Sequence, residues 1–347
     1  MTSPQRLYHL ALRDLHAAAG SAFVSRLGWS LPAHYGDPAA EHAALRGQAA
    51  IFDRSHRGRF IVSGTDASDV LSAVFAGHVD ELEEGRAMRT VALNDRGEID
   101  DLVLIARTGG ISYLVTGEPT RRTATFERLN AGVGPDFDVR IDDRTETTCL
   151  IALAGPAANE MARRHLNEGL PAVLQPMHSV AFEFHGFRAL GTRTSDVGED
   201  GFELMLAPAV AQHVIETLRA AGIPLAGFEA QEAARVEACV PAFSPDLEPG
   251  LSPAEADLDT VLHIPGGRER WMLSAVLIDG PPLAVGTRAL LSGAPVGELR
   301  SSVSSPSLNA TIGLAVIESR VALPGTRLDL EGTSATIVAK PFYRRRS

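Results

Sequence analysis

Two short stretches concentrate carboxylates where strands are expected. In "NDRGEIDDLVL", residues 94–104, a turn signal (Asn94, Asp95, Gly97) precedes the adjacent acids Asp100 and Asp101 and an apolar run. In "SDVGEDGFEL", residues 195–204, Gly198 and Gly201 enclose Glu199 and Asp200, and Glu203 follows between Phe202 and Leu204. Side chains alternate between the two faces of a strand. Asp100 and Asp101 therefore face opposite sides, and Glu203 faces away from its apolar neighbours. A carboxylate at the mouth of a cleft serves as a general base or an electrostatic anchor. A solvated one does neither, and the alternation alone leaves both readings open for Asp101 and Glu203. Asp100 reads as a turn cap, and Glu199 and Asp200 as solvated turn residues.

A third stretch, "DRSHRGRF", residues 53–60, sets His56 among Arg54, Arg57 and Arg59. Arginines so grouped suit an anion, whereas a lone histidine beside them reads as structural. The eleven histidines show no metal-ligand spacing, so no metal site is expected. No GxSxG, phosphate-binding loop or GxGxxG turn occurs, which removes the anchors of hydrolase, kinase and dinucleotide-binding readings.

The elements that must carry these residues follow from periodicity and breakers. Helices are expected over 7–19, 39–46, 67–75, 156–166, 209–222 and 228–240. Strands are expected over 59–64, 88–95, 101–107, 111–117 and 148–155, with a hairpin over 179–193 turning at His185-Gly186. This is a mixed α+β region with helices against antiparallel strands. After residue 243 the proline- and acid-rich "FSPDLEPGLSPAEADL" suits a long surface loop. From Trp271 onward, short strands separated by Gly and Pro suggest a small all-β barrel or sandwich.

Bulk numbers set the limits. A chain of 347 residues is long enough for two or three units. The composition, 45% hydrophobic and 22% charged, is that of a globular protein. Cys149 and Cys239 are too few for a disulfide or zinc framework and read as buried thiols of a reducing compartment. A net charge of −11 argues against a nucleic-acid partner, and the basic tail "YRRRS" reads as solvated. No membrane-length apolar stretch or N-terminal signal region is present, so the cytoplasm is the expected address.

Several stretches, in order, resemble the aminomethyltransferase family: the T-protein of the glycine cleavage system and its folate-dependent demethylase and dimethylglycine-oxidase relatives. "LYHLALRDLHAAAGSAFVSRLGWSLPAHYG" is similar to the family's opening, with its GW-x-x-P-x-x-YG pattern, and "EHAALRGQAAIFDRSHRGRFIVSG" to its EH-x-x-x-R…-FD-x-SH…-G segment. "LNDRGEIDDLVL" resembles its signature hairpin and "GEDGFEL" its glycine turn. "RVEA", "SPAEADL", "SSVSSPSLNATIGLAVI" and "KPFY" are similar to its later motifs, so the resemblance spans nearly the whole chain. It implies three subdomains around a central folate channel. Residues 1–265 would form a folate-binding region of two interleaved α+β subdomains, and residues 266–347 a C-terminal β-barrel. It further implies tetrahydrofolate as cofactor, Asp101 as the essential carboxylate, and Glu203 as the pterin ligand. A carboxylate suits a pterin edge because it accepts two parallel hydrogen bonds.

The chain departs from the family pattern at four contact positions. Arg57 stands where SHM has an apolar residue, Arg89 and Asp196 where tyrosines are usual, and Gln231 where a helix arginine is a folate ligand; the later arginine, Arg235, is retained. Losing two stacking faces of about a kcal/mol each weakens folate binding about tenfold or more. Two added arginines favour a small anionic substrate over an apolar lipoyl arm, which disfavours a lipoyl carrier protein as partner. The implied activity is a tetrahydrofolate-dependent transfer of a methyl, methylene or aminomethyl unit from a specialised donor. The alternatives are a folate-independent enzyme or a non-catalytic binding protein on the same fold. A folate-binding iron–sulfur assembly relative carries a K-G-C-Y-x-G-Q loop, whereas "IPGGRERWML" has no cysteine.

Overall fold

The computed structural model describes residues 7–166, 170, 174–248, 250–258, 262 and 269–345. The N-terminal "MTSPQR", the expected boundary at 265/266 and the last two residues of the basic tail lie outside them. In chain order the strands are β1 (Tyr8–His9), β2 (Ala22–Arg26), β3 (Trp29–His34), β4 (Ala50–Asp53), β5 (Gly58–Ser63), β6 (Ala87–Leu93), β7 (Ile99–Gly109), β8 (Ser112–Gly117), β9 (Arg140–Asp143) and β10 (Cys149–Ala154). They continue with β11 (Ser179–Phe184), β12 (Phe187–Thr192), β13 (Gly201–Leu206), β14 (Trp271–Ile278), β15 (Arg288–Leu291), β16 (Ala294–Ser305), β17 (Ala310–Glu318), β18 (Arg327–Leu330) and β19 (Thr333–Val338). The helices are α1 (Arg13–Ala18), α2 (Pro38–Gly47), α3 (Ala67–Val74), α4 (Arg122–Ala131), α5 (Ala158–His165), α6 (Pro208–Ala220) and α7 (Phe228–Glu237). Among the described residues no helix is long and apolar enough to cross a membrane.

The chain divides into two compact units. The first comprises Met1–Ala92, Asp101–Ser195 and Glu199–Ala230; the second comprises Leu93–Asp100, Asp196–Gly198 and Gln231–Ser347.

The first unit contains two five-stranded sheets, ordered β11-β12-β13-β10-β4 and β6-β7-β8-β5-β9, and a three-stranded sheet β1-β3-β2. Alternation decides which face is covered. On the first five-stranded sheet Ile51, Ile151, Leu153, Phe202 and Leu204 point to the helical side and pack with Val210, Val214 and Leu218 of α6. On the second, Phe60, Val62, Val103, Ile105 and Val115 pack with Leu71 of α3 and Leu129 of α4. The other faces meet through Ile61, Leu104, Ala106 and Leu114 on one sheet and Leu190 and Met205 on the other. Each Leu, Ile, Val or Phe fully buried in these layers contributes roughly 2 kcal/mol.

The second unit holds a closed six-stranded barrel, β14-β17-β16-β15-β18-β19, the first of the two arrangements that the spacing of short strands left open. Val276, Ile278, Leu299, Ile317, Leu328 and Ile337 are among its buried cluster. Gly313 is required there, because a Cβ would sit 2.4 Å from Ser301 O. The "NDRG" turn also belongs to this unit. Asn94 Oδ1, not Asp100, closes it, accepting the N–H groups of Arg96 (2.9 Å) and Glu98 (3.0 Å), and Gly97 takes a φ of 75°.

Two stretches differ from expectation, and a third feature, Pro32, needs a physical account. Residues 7–19 form β1 and the short α1 instead of one helix. Pro32 lies inside β3, the central strand of its sheet, and pairs with Phe23 beside a register shift between Ala22 and Phe23. An irregularity of that kind is where a residue without an N–H fits a ladder. In the 243–258 segment, Phe243, Asp246, Leu247 and Leu251 are buried rather than exposed. Asp246 draws that segment inward by accepting from Arg235 Nη1 (2.5 Å), Ala242 N (2.9 Å) and Ser301 Oγ.

Candidate functional site

The four residues 54–57 join β4 of one five-stranded sheet to β5 of the other, and both ends of this turn are held. Asp53 Oδ1 accepts the N–H of Ser55 (2.8 Å), and Arg57 N–H donates to Arg54 O (3.0 Å). Arg59, fully buried, donates from Nη1 to Ser55 O (3.0 Å) and Arg57 O (2.6 Å), and from Nε to Thr148 Oγ1 (2.9 Å). The turn aims its arginines at two different carboxylates. Arg54 Nη1 donates to Glu203 Oε1 at 2.6 Å, and Arg57 Nη2 to Glu118 Oε1 at 2.8 Å.

Strand register explains these meetings. Glu203 on β13 lies opposite Ala152 of β10, which lies opposite Phe52 of β4. The acid therefore sits on the sheet face away from Phe202 and Leu204, as alternation requires, and it is 6% exposed. On the other sheet Gly58 pairs with Gly117, so Arg57 and Glu118, one residue beyond each, face one another at the strand ends. Leu104 pairs with Thr116, which runs Asp101 alongside the same end. Asp101 is 3% exposed. Its Oδ1 accepts Leu102 N–H (2.8 Å), and its Oδ2 meets the Thr125 hydroxyl of α4. The Thr125 hydroxyl also reaches Arg121 O at 2.9 Å.

This arrangement separates the charge states of its members. Burial pushes the Asp101 carboxyl up to about 7, the Thr125 hydrogen bond opposes the rise, and the nearby Glu118 charge adds to it. Burial, reinforced by Arg54 and Arg57, drives the His56 imidazole down to about 3, so it is neutral at pH 7. Its Nδ1 is buried without a hydrogen-bond partner among the described residues. A carboxyl that titrates near neutral pH, out of water and beside a hydroxyl relay, can take up and release a proton during turnover. Asp101 is thus a buried carboxyl with raised proton affinity, whereas Glu203 is held by the Arg54 guanidinium.

The other expected site residues are placed as follows. Arg89 on β6 donates from Nη2 to Thr194 Oγ1 (3.0 Å) and Ser195 O (3.3 Å). Asp196, Gln231 and Arg235 belong to the second unit. There the Arg235 guanidinium is fully engaged: Nε and Nη2 on Glu232, Nη1 on Val240 O and Asp246, and Nη2 also on Ser301. Glu199 and Asp200 are not solvated: Arg46 holds the first (3.3 Å), and Arg193 binds the second through two contacts of 3.0 and 2.6 Å. Burial raises Cys149 to about 12 and Cys239 to about 11, so both are thiols at pH 7. Glu118, Thr125 and the ion-pairing role of Arg54 carry no sequence motif; the one signal for Glu118 is an acid directly following the buried strand "SYLVTG".

Comparison with known proteins gives a consistent result. The family model described as the GCVT N-terminal domain matches residues 12–265, and that of the glycine cleavage T-protein C-terminal barrel domain matches 270–344. The aminomethyltransferase of Streptomyces avermitilis is 31% identical, with 97% of this chain and 98% of that protein covered. That of Geobacillus kaustophilus is also 31% identical, covering 96% and 98%. In fold, the chain is similar to the crystal structure of glycine cleavage system aminomethyltransferase T from Bartonella henselae. The TM-score is 0.89 at 23% identity, over 98% of this chain and 99% of that one.

Proposed function

Because this chain belongs to the glycine cleavage T-protein (aminomethyltransferase) family, we propose that it transfers a one-carbon unit from a small amine donor to tetrahydrofolate, with Asp101 as the acid–base group. The observation that carries this reading is the Asp101 carboxyl, 3% exposed and held near neutral affinity for its proton. Ordinary surface aspartates are ionised about three powers of ten more completely at pH 7.

The first unit's residues fit a flat ring with donor groups on its edge. Glu203 presents a carboxylate with one oxygen on Arg54 Nη1, and its remaining lone pairs suit an amino group and a ring N–H. Tetrahydrofolate, when bound, supplies the nitrogens that accept the one-carbon unit. Asp101 shares its proton at Oδ2 with Thr125 Oγ1. Protonated, it donates to that oxygen while the Thr125 hydroxyl turns to Arg121 O; ionised, it accepts from the hydroxyl. A carboxylate at this position also stabilises positive charge developing on a donor nitrogen.

The donor is specialised. Arg57 and Arg89 replace residues that the family resemblance gives as apolar or aromatic, and they favour a small anionic donor over a lipoyl arm. Their pairing with Glu118 and with the 194–195 segment tempers that attraction. The test is a transfer assay with tetrahydrofolate and small amine donors. Asp101→Asn is expected to lower turnover about 100-fold or more while calorimetry still detects tetrahydrofolate binding. Unchanged turnover removes Asp101 from the chemistry. Absence of any tetrahydrofolate heat favours a folate-independent enzyme or a binding protein.

A further inference from the structure

A second polar chain lies buried behind the 54–57 turn, in a core that aliphatic side chains would fill. His16 of α1 and Asp53 at the end of β4 have side chains with no exposure, and His16 Nε2 is 2.8 Å from Asp53 Oδ2. Tyr35, directly after β3, places its hydroxyl 2.7 Å from His16 Nδ1. The proton positions follow from chemistry. An ionised carboxylate only accepts, so Nε2 carries the hydrogen, Nδ1 is the acceptor, and Tyr35 donates. Burial alone would raise Asp53; the hydrogen bond from His16 and the bonds from Ser55 outweigh it and hold the carboxyl below its ordinary range. Burial, then the charges of Asp53 and Glu41, pushes the Tyr35 phenol upward, so it keeps its hydrogen. The chain is continuous from Tyr35 to the backbone of Ser55, the second residue of the turn.

We propose that Tyr35, His16 and Asp53 are positioning residues for the transfer: a buried relay that holds the 54–57 turn in the shape that keeps Arg57 on Glu118 beside Asp101. The proposal rests on the reading of Asp101 given above. The charged groups facing Asp101 are Glu118 after β8 and Arg121 before α4, with the Thr125 hydroxyl and the Leu102 N–H as uncharged donors. Glu118 in turn faces Arg57. With the relay cut, the Asp53 carboxylate that accepts the Ser55 N–H is less firmly oriented, and the turn, still tied by Arg59 to Ser55 O and Arg57 O, shifts so that Arg57 bonds Glu118 less well. The less compensated Glu118 charge then makes Asp101 harder to ionise. Buried polar networks act as units, so removal of one member is transmitted along the chain.

The experiment reads the Asp101 carboxyl by carbon-13 NMR titration in the ligand-free protein, for wild type, His16→Gln and Tyr35→Phe, with melting curves for each. His16→Gln is expected to raise the titration midpoint, lowering the proton dissociation constant about threefold or more. Tyr35→Phe, which removes one oxygen and preserves packing, is expected to shift it about twofold in the same direction, and it carries the test alone if His16→Gln does not fold. In the active protein Tyr35→Phe should lower kcat near pH 7 more than it weakens tetrahydrofolate binding. A Tyr35→Phe protein that melts cooperatively and titrates at the wild-type midpoint overturns the relay. The titration needs neither donor nor folate, so its failure is distinct from a failure of the transfer assay.

Discussion

Replacing Asp101 by asparagine should make the protein more stable at high pH and leave it nearly unchanged at low pH. The carboxyl rises from an ordinary 3.8 to about 7 on folding, chiefly through burial. The folded state thus holds this proton about three powers of ten more tightly than the unfolded chain. Stability from this group is complete below about pH 4 and is lost as pH rises through 7. At about 1.4 kcal/mol per power of ten, the loss above pH 8 is on the order of 4 kcal/mol. The substituted asparagine would carry no charge to desolvate. Its amide can donate to Thr125 Oγ1 while that hydroxyl donates to Arg121 O, which reproduces the protonated state of the acid. Urea unfolding of both proteins from pH 4.5 to 8.5 should show a difference of only about 1 kcal/mol at the acid end. It should grow to about 2–4 kcal/mol in favour of the variant at the alkaline end. A difference independent of pH, or a variant less stable at pH 8.5, refutes the assignment of a buried, proton-holding Asp101.

Further expectations follow from the same geometry. Glu118→Gln removes a negative neighbour and leaves the Arg57 charge, so the Asp101 titration, followed by carbon-13 NMR, should move below 7; an upward shift would contradict the electrostatic account. Arg54→Met leaves Glu203 buried without its guanidinium and should cost about 3–5 kcal/mol in urea unfolding, whereas the double variant with Glu203→Leu should recover much of that loss. His56 should remain neutral down to about pH 4, seen as constant imidazole chemical shifts between pH 5 and 8; a midpoint near 6.5 would mean that it is solvated.

Much of the site was legible one strand at a time. Period-two alternation put Glu203 opposite Phe202 and Leu204, and the register of β13 and β10 bears this out. For Asp101 the pattern gave only a face opposite to Asp100 and no depth, because the cover includes α4, whose Thr125 lies 24 residues away. Glu118 was invisible for a related reason: its meaning depends on Arg57, 61 residues earlier and brought opposite only by strand register. Glu199 and Asp200 looked like solvent-facing turn acids because their partners, Arg46 and Arg193, show no local spacing that marks a pair. Composition misled at 243–258, where proline and acid suggested a surface loop, yet Asp246 anchors the segment inward. In the second unit the regular alternation of short strands with Gly and Pro announced a small all-β unit but left barrel and sandwich open; the closure of β14 onto both β17 and β19 decides for the barrel.

A structure of the protein crystallised with tetrahydrofolate addresses the proposed chemistry most directly. The account places the amino edge of the pterin on the Glu203 carboxylate and the one-carbon-accepting nitrogens within hydrogen-bond reach of Asp101. A ligand seated away from both carboxylates, with Arg54 and Arg57 still closed over them, would contradict it.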